Sequence, residues 1–402
     1  GDNTTFVATA SLKDAAGNTG GPVQDSATMR TTSAGAPTVT ITEDANNDGL
    51  ISASELVGTI DVEYTLPATA AAGDTLVITK PDGSTENVLL QAADITAGKV
   101  SRSYTAPADG STVTTSAQLK DAAGNLGATG SDSAKLDLTT PNNNQALGLS
   151  IDADTNNDGT INKTELGSAT TTSLTATFDK TKVAVGDVVT FTVGTTVKTV
   201  ALTQAMIDAG KVTSTDWALP AEGATLTATA TLKDAAGNTT PEAKDEAVLD
   251  TTAPNGGIAV GLTIDADSDS AQGNGIITEA EKGSGSTTSL TATFDKTKVS
   301  VGDTITFSDG NPANDKTVIL TQPMIDAGKA TSTGWNLPAN GQTLSVTAVL
   351  KDQAGNATPQ ATDSAVMQFA SNATATIDIT SISTDSGTSG SDFVTSDQTL
   401  VY

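Results

Sequence analysis

One heptapeptide recurs through this chain at the spacing of whole domains. Leu12-Lys13-Asp14-Ala15-Ala16-Gly17-Asn18 returns at 119–125 and at 232–238, and a version with Gln353 stands at 350–356. The four Asp residues lie 107, 113 and 118 positions apart. Solenoid units repeat roughly every 20–50 residues, so a period near 110 reads as complete domains in a row. A second Asp follows each Asn by seven residues, at Asp25, Asp132, Asp245 and Asp363. A short strand-like run follows each of them, so the mark reads as strand, Ala-Gly-Asn turn, strand, a β-hairpin. The runs end near Pro37, Pro141 and Pro254. Proline cannot continue a ladder, so these positions are expected to be short, stiff joints.

This register divides the chain into the last strands of a repeat (1–34), three complete repeats (35–141, 142–254 and 255–372) and the opening of another (373–402). Such a division is expected of a window on a longer protein. Within each repeat the texture is β. Thr172–Phe178 and Thr225–Leu232 alternate and are rich in Thr. One helical turn is expected at Ala205–Gly210, stopped by its glycine, with a counterpart at Pro323–Gly328. About seven short strands in ~110 residues predict an all-β chain of tandem immunoglobulin-like sandwiches, arranged as an elongated rod.

Composition removes much of the functional menu. The 402 residues contain no Cys and no His, which excludes a Ser-His-Asp triad, a cysteine nucleophile, a disulfide and a His or thiolate zinc site. A formal net charge of −27 disfavours nucleic acid and anionic membrane surfaces and is compatible with solubility, solvation by salt or cation binding. No apolar run approaches the ~18 residues of a membrane span, and residues 1–4 show no secretion signal of the N-terminal kind.

The strongest chemical signal opens each complete repeat. Residues 44–55 place Asp44, Asn46 and Asp48 at positions 1, 3 and 5 of a twelve-residue loop. Gly49 stands at 6, the Leu50 carbonyl at 7, Ser52 at 9 and Glu55 at 12. Residues 154–165 repeat this with Asp154, Asn156, Asp158, Gly159, Thr160 and Glu165. Both fit the EF-hand calcium loop, in which hard oxygens wrap a cation that wants six to eight of them. The third repeat departs from the pattern: three residues are added before the glycine, and Asp267, Asp269, Asn274, the Ile276 carbonyl and Glu281 are the expected ligands. Asp152 and Asp265, just ahead of the second and third loops, join the candidates. The flanks read as strands, so these are EF-type loops grafted near the start of β-sandwiches, clamps rather than helix-moving switches.

The Ala-Gly-Asn hairpins are a second candidate. A plain tight turn explains them; the sharper reading is that Asp14, Asp121 (with Asn125), Asp234 (with Asn238) or Asp352, each with the Asn four residues on, reaches a cation shared with the next domain, beside the following repeat's acidic loop. Asp385, Asp392 and Asp397 near the C-terminal end invite the same reading. Trp217, Trp335 and Tyr104 occupy matching places, each three residues before a proline, as core or joint packing or, alternatively, as a sugar-stacking platform. Acidic clusters copied into every repeat fit ligand sets better than catalytic pairs, so no enzymatic activity is expected.

Taken together, the Leu-Lys-Asp-Ala-Ala-Gly-Asn hairpins, the Asp-Thr-Thr-Ala-Pro joint at 250–254 and the Asp-x-Asn-x-Asp-Gly loops resemble the extender region of giant bacterial repeat adhesins of the type I-secreted, RTX type. The resemblance runs along essentially the whole chain. It implies a calcium-rigidified extracellular stalk on the bacterial cell surface. Its partners would be neighbouring repeats and distal ligand-binding domains outside this window, and its role surface attachment, cell adhesion or biofilm formation. The alternatives are a carbohydrate- or protein-binding β-sandwich module, or an accessory region of a secreted polysaccharide-active enzyme.

Overall fold

The computed structural model describes residues 4–32, 34–269 and 273–369, so the reading of 373–402 and of its three Asp residues lies outside them. The chain divides into two compact units, 1–250 and 251–402, which are described separately.

Unit one begins with a strand pair, β1 (Thr4–Ala10) and β2 (Val23–Met29), in antiparallel register. A complete sandwich follows: β3 (Thr38–Ile41), β4 (Leu50–Ser52), β5 (Thr59–Thr65), β6 (Thr75–Thr79), β7 (Thr85–Leu89), the single turn α1 (Ala92–Ala97), β8 (Lys99–Thr105), β9 (Thr112–Lys120) and β10 (Gly130–Asp137). One sheet runs β3-β5-β8; the other runs β4-β10-β9-β6-β7. All pairs are antiparallel except β4 with β10. This is the immunoglobulin-like arrangement, with the first strand split between the two sheets.

Period-two alternation builds the core. β5 turns Ile60, Val62 and Tyr64 inward, and β9 turns Val113, Thr115, Ala117 and Leu119 inward. Their solvent faces carry mainly Thr, Ser, Asp, Glu and Gln, which is what a sheet with one wet side requires. The second sandwich of unit one has sheets of three and five strands in the same order, between Gly148–Ile151 and Ala243–Leu249. Unit two holds a third, from Gly261–Ile264 to Ala361–Gln368. The expected helical turns are present at Gln204–Ala209 and Gln322–Ala327, each closed by a glycine in the left-handed region.

The split first strand has a physical cost that one Asp in each repeat offsets. β3 pairs with β5 on one side only, leaving its other edge open. Asp132 from β10 accepts the Ile41 N–H at 2.7 Å; Asp245 accepts that of Ile151 and Asp363 that of Ile264. In the three complete sandwiches the Asp seven residues beyond the hairpin Asn therefore ties the two sheets together. Gly130 shows how close the chains run there: a β-carbon on it would lie 1.9 Å from the Pro37 carbonyl oxygen.

Candidate metal centres

Each acidic loop is the crossover by which the chain leaves the three-stranded sheet and enters the five-stranded one. In the first sandwich it runs from the end of β3 into β4, which then pairs with Lys135–Asp137 of β10. Asp44 is 6% exposed, and its two carboxylate oxygens accept the N–H groups of Asp48 and Gly49 at 3.0 and 2.9 Å. Asn46 accepts from Asp48 N–H, and Asp48 from Leu50 N–H. Gly49 sits at φ 83°, where a side chain would be strained. At the far end Glu55 turns back and accepts the N–H and Oγ–H of Ser52, both at 2.9 Å.

The second loop repeats this geometry. Asp154 accepts from Asp158 and Gly159, and Asp158 from Thr160. Asn162 caps a one-turn helix, Lys163–Leu166, by accepting from Thr164 and Glu165. Glu165 reaches across the loop, taking the Asn162 N–H on one oxygen and the Thr155 hydroxyl and Asn156 N–H on the other.

In unit two the stretched loop returns to the same register. Asp267 accepts the N–H groups of Asn274 and Gly275 at 2.9 and 2.8 Å, as Asp44 does from Asp48 and Gly49. Asn274 accepts from Ile276 N–H, and its amide group touches Asp269. Carboxylate oxygens of Asp267, Asp269 and Glu281 lie within 4.8 Å of one another. Hydrogen bonds from Thr278 and Ser268 hold the Glu281 carboxyl below its ordinary range. Every loop thus carries three carboxylates on an all-oxygen donor set, with Asp and Asn exchanged between positions 3 and 5 in the third. Hard oxygens, a buried first Asp and a glutamate folded over the loop fit a hard divalent cation of calcium's preferences.

Asp152 and Asp265 bond to the adjoining strand, and Asp152 lines a shallow cleft together with Glu165. Asp152 accepts the Thr175 hydroxyl at 2.9 Å, and Asp265 accepts that of Thr291 at 3.0 Å, each across to the neighbouring strand. They brace the strand leading into the loop.

The hairpin carboxylates are occupied within their own turns. Asp121 accepts the backbone N–H of Asn125 at 2.8 Å and its side-chain amide at 2.9 Å, and the amide bond holds the Asp121 carboxyl below its ordinary range. Asp234 and Asn238 form the same pair. The Asn side chains face the repeat before, not the one after. Asn125 donates to the Arg30 carbonyl at 3.0 Å. Asn238 donates to the Asp137 carbonyl at 2.8 Å and accepts the Ala53 N–H at 2.9 Å. Strand direction is the reason. β10 ends where the chain leaves its sandwich, so the antiparallel β9–β10 hairpin must lie at the other end, where the chain enters. The equivalent hairpin of the second sandwich therefore meets the exit end of the first, where the 44–55 loop lies.

That joint contains an open cleft of about 390 Å3 lined by Asp137, Asp187, Asp234 and Lys182 among others. Asp187 is 4% exposed; burial raises its pKa, and Asp234 and Asp137 push it further the same way. At the preceding joint Arg30 holds the place of Asp137. Its guanidinium meets Asp74, the equivalent of Asp187, at 3.2 Å. The linker is fixed as well: Asn142, buried at φ 52°, donates its N–H to Lys182 O and accepts the Asp179 N–H.

Trp217 and Trp335 are 1% and 2% exposed, and each donates its indole N–H to a serine, Ser214 or Ser332. Lys198 and Lys316 cover the ring faces at 4.6 and 4.7 Å. Tyr104 hydrogen-bonds buried Tyr64. Trp217 and Trp335 belong to the cores of the second and third sandwiches, and Tyr104 is half-buried against that of the first.

Residues 151–168 match the EF-hand family model, spanning the second loop. No curated protein matches the chain. Among solved structures it is similar to a calcium-stabilised, ice-binding adhesin of an Antarctic bacterium, at 24% identity and TM-score 0.34, covering 91% of this chain and 82% of that one. It is also similar to a tetra-tandem repeat from the extending region of a large adhesion protein, at 21% identity and TM-score 0.32 with the same coverages. A third similarity, at 17% identity and TM-score 0.31, is to part of a 1.5-MDa bacterial ice-binding adhesin; it covers 84% of this chain and all of that one. No helix among the described residues is long and apolar enough to cross a membrane.

Proposed function

We propose that this chain is a length of calcium-clamped stalk from an extracellular adhesin on a bacterial cell surface. Its role is structural: it holds distal binding domains away from the cell for attachment, adhesion or biofilm formation. One observation carries the reading. Three oxygen cages recur at the same place, the crossover between the two sheets of each sandwich. A cation there joins the sheets where no continuous ladder does.

The ligands are Asp44, Asn46, Asp48, Glu55 and the Leu50 carbonyl in the first cage, with Ser52 at position 9. The second uses Asp154, Asn156, Asp158, Glu165 and the Thr160 carbonyl. The third uses Asp267, Asp269, Asn274, Glu281 and the Ile276 carbonyl. Asp121, Asn125, Asp234 and Asn238 serve the joints through their hydrogen bonds. Metal-free, each loop holds three negative charges in a small volume; calcium removes that repulsion and fixes the loop. Extracellular modules bind at roughly 10⁻⁴–10⁻³ M, and a site at ten times its dissociation constant adds about 1.4 kcal/mol. Each sandwich then gains roughly a tenth to a quarter of a small domain's margin of stability.

Calorimetric titration and thermal unfolding test this together. Three calcium ions per chain and a melting temperature several degrees higher in millimolar calcium than in chelator are expected. No uptake, or identical melting in the two conditions, overturns the reading.

A further inference from the structure

Asn238 ties the second sandwich to the calcium loop of the first. Its side chain is buried and makes two bonds to the preceding repeat, accepting Ala53 N–H and donating to Asp137 O. Both partners belong to the loop's frame. Ala53 is position 10, between Ser52 at 9 and Glu55 at 12. Asp137 ends β10 and pairs in register with Ser52 of β4. Whatever fixes positions 7 to 12 therefore fixes the platform on which Asn238 sits. The hairpin presenting Asn238 is itself rigid, because Asp234 holds both its backbone and its side-chain N–H groups.

We infer that calcium binding in the 44–55 loop and docking of the following repeat are one coupled equilibrium, with Asn238 as the positioning residue that links them. This rests on the calcium reading above and adds to it a direction: a repeat's cation affinity is set partly by the neighbour that follows it. Free loops leave Ala53 unanchored, so the empty joint loosens; docking pre-forms the second half of the cage, so the filled joint binds calcium more tightly. Linkage requires the two effects to be equal.

The test uses the full chain and backbone NMR, with the amides of Gly49 and Gly159 as separate reporters of the first and second loops. Calcium alone is the titrant. Asn238→Ala is expected to raise the calcium midpoint at Gly49 about tenfold, within the range of measured couplings, and to leave that at Gly159 unchanged. Gly159 lies in the same sandwich as Asn238, so its unchanged titration also reports that this sandwich is folded. Ala53→Pro removes the donor from the other side and leaves the hairpin whole; proline is tolerated at the first position of a helical turn. In the wild-type chain calcium is expected to slow hydrogen exchange at the Asn238 amide, and in Ala53→Pro to have no such effect. The coupling is overturned if Gly49 titrates alike in wild type and Asn238→Ala, or if calcium protects Asn238 equally in Ala53→Pro. If neither glycine responds to calcium, the calcium reading falls and the coupling with it.

Discussion

Two buried side chains of the second sandwich, Trp217 and Asp187, show how side chains divide the work. Trp217 fills the core of a sandwich poor in aromatics, and its indole N–H is satisfied by Ser214. Trp217→Ala is expected to cost about 3–5 kcal/mol, read as a lower urea midpoint, and to create no binding defect beyond unfolding. Asp187 illustrates the opposite case, a carboxylate that is a burden where it stands. Burial and two neighbouring Asp residues raise its pKa above the ordinary 3.8. The native chain thus keeps that proton to higher pH than the unfolded chain. Stability falls as pH rises through the interval between the two pKa values, and the loss is complete above the folded one. Asp187→Asn is therefore expected to stabilise the chain at pH 7 in chelator, with a gain that shrinks toward pH 4. Denaturant midpoints across that range measure it; a gain independent of pH contradicts the charge explanation.

Single elements are shaped by what the backbone would otherwise leave unpaired. The first strand of each sandwich is divided between two sheets, and the division creates both the open edge that Asp245 covers and the crossover that becomes an acidic loop. Asp245→Ala leaves the Ile151 N–H without its partner. It should cost about 1–3 kcal/mol, with faster hydrogen exchange confined at first to Gly148–Ile151. Exchange unchanged in that strand contradicts the role. The loops themselves need no helix pair. In the second and third sandwiches positions 10 to 12 open one turn of helix, and in the first even that is reduced to hydrogen-bonded turns. The loops connect two sheets rather than two helices.

At the scale of the molecule, unit one contains two joints built on one plan with different charges. Arg30 neutralises Asp74 at the first; at the second the equivalent residue is Asp137, facing Asp187 and Asp234. Order at the first joint is therefore expected to survive chelation, while order at the second responds to divalent cation. Introduced cysteine pairs on a chain with none of its own permit spin-label distances across each joint, with and without chelator. Equal broadening at both joints of the wild-type chain contradicts the expectation.

The sequence by itself determined the sandwich class, and it carries the repeat register and the acidic loops proposed as oxygen cages. All three are local facts: alternation of period two, a motif returning at fixed distance, and a ligand set contained in one short loop. It also listed Asp152 and Asp265 with the cage ligands, but proximity along a strand does not say which partners a carboxylate finds. Only the tertiary structure turns them to Thr175 and Thr291. Only it seats Asn238 against the repeat before rather than the repeat after, since that depends on which end of a sandwich a hairpin occupies. Interactions that close within a dozen residues can be read from their order in the chain. Those that close across 185 residues, as between Ala53 and Asn238, exist only once strand direction and sheet pairing have fixed which ends meet.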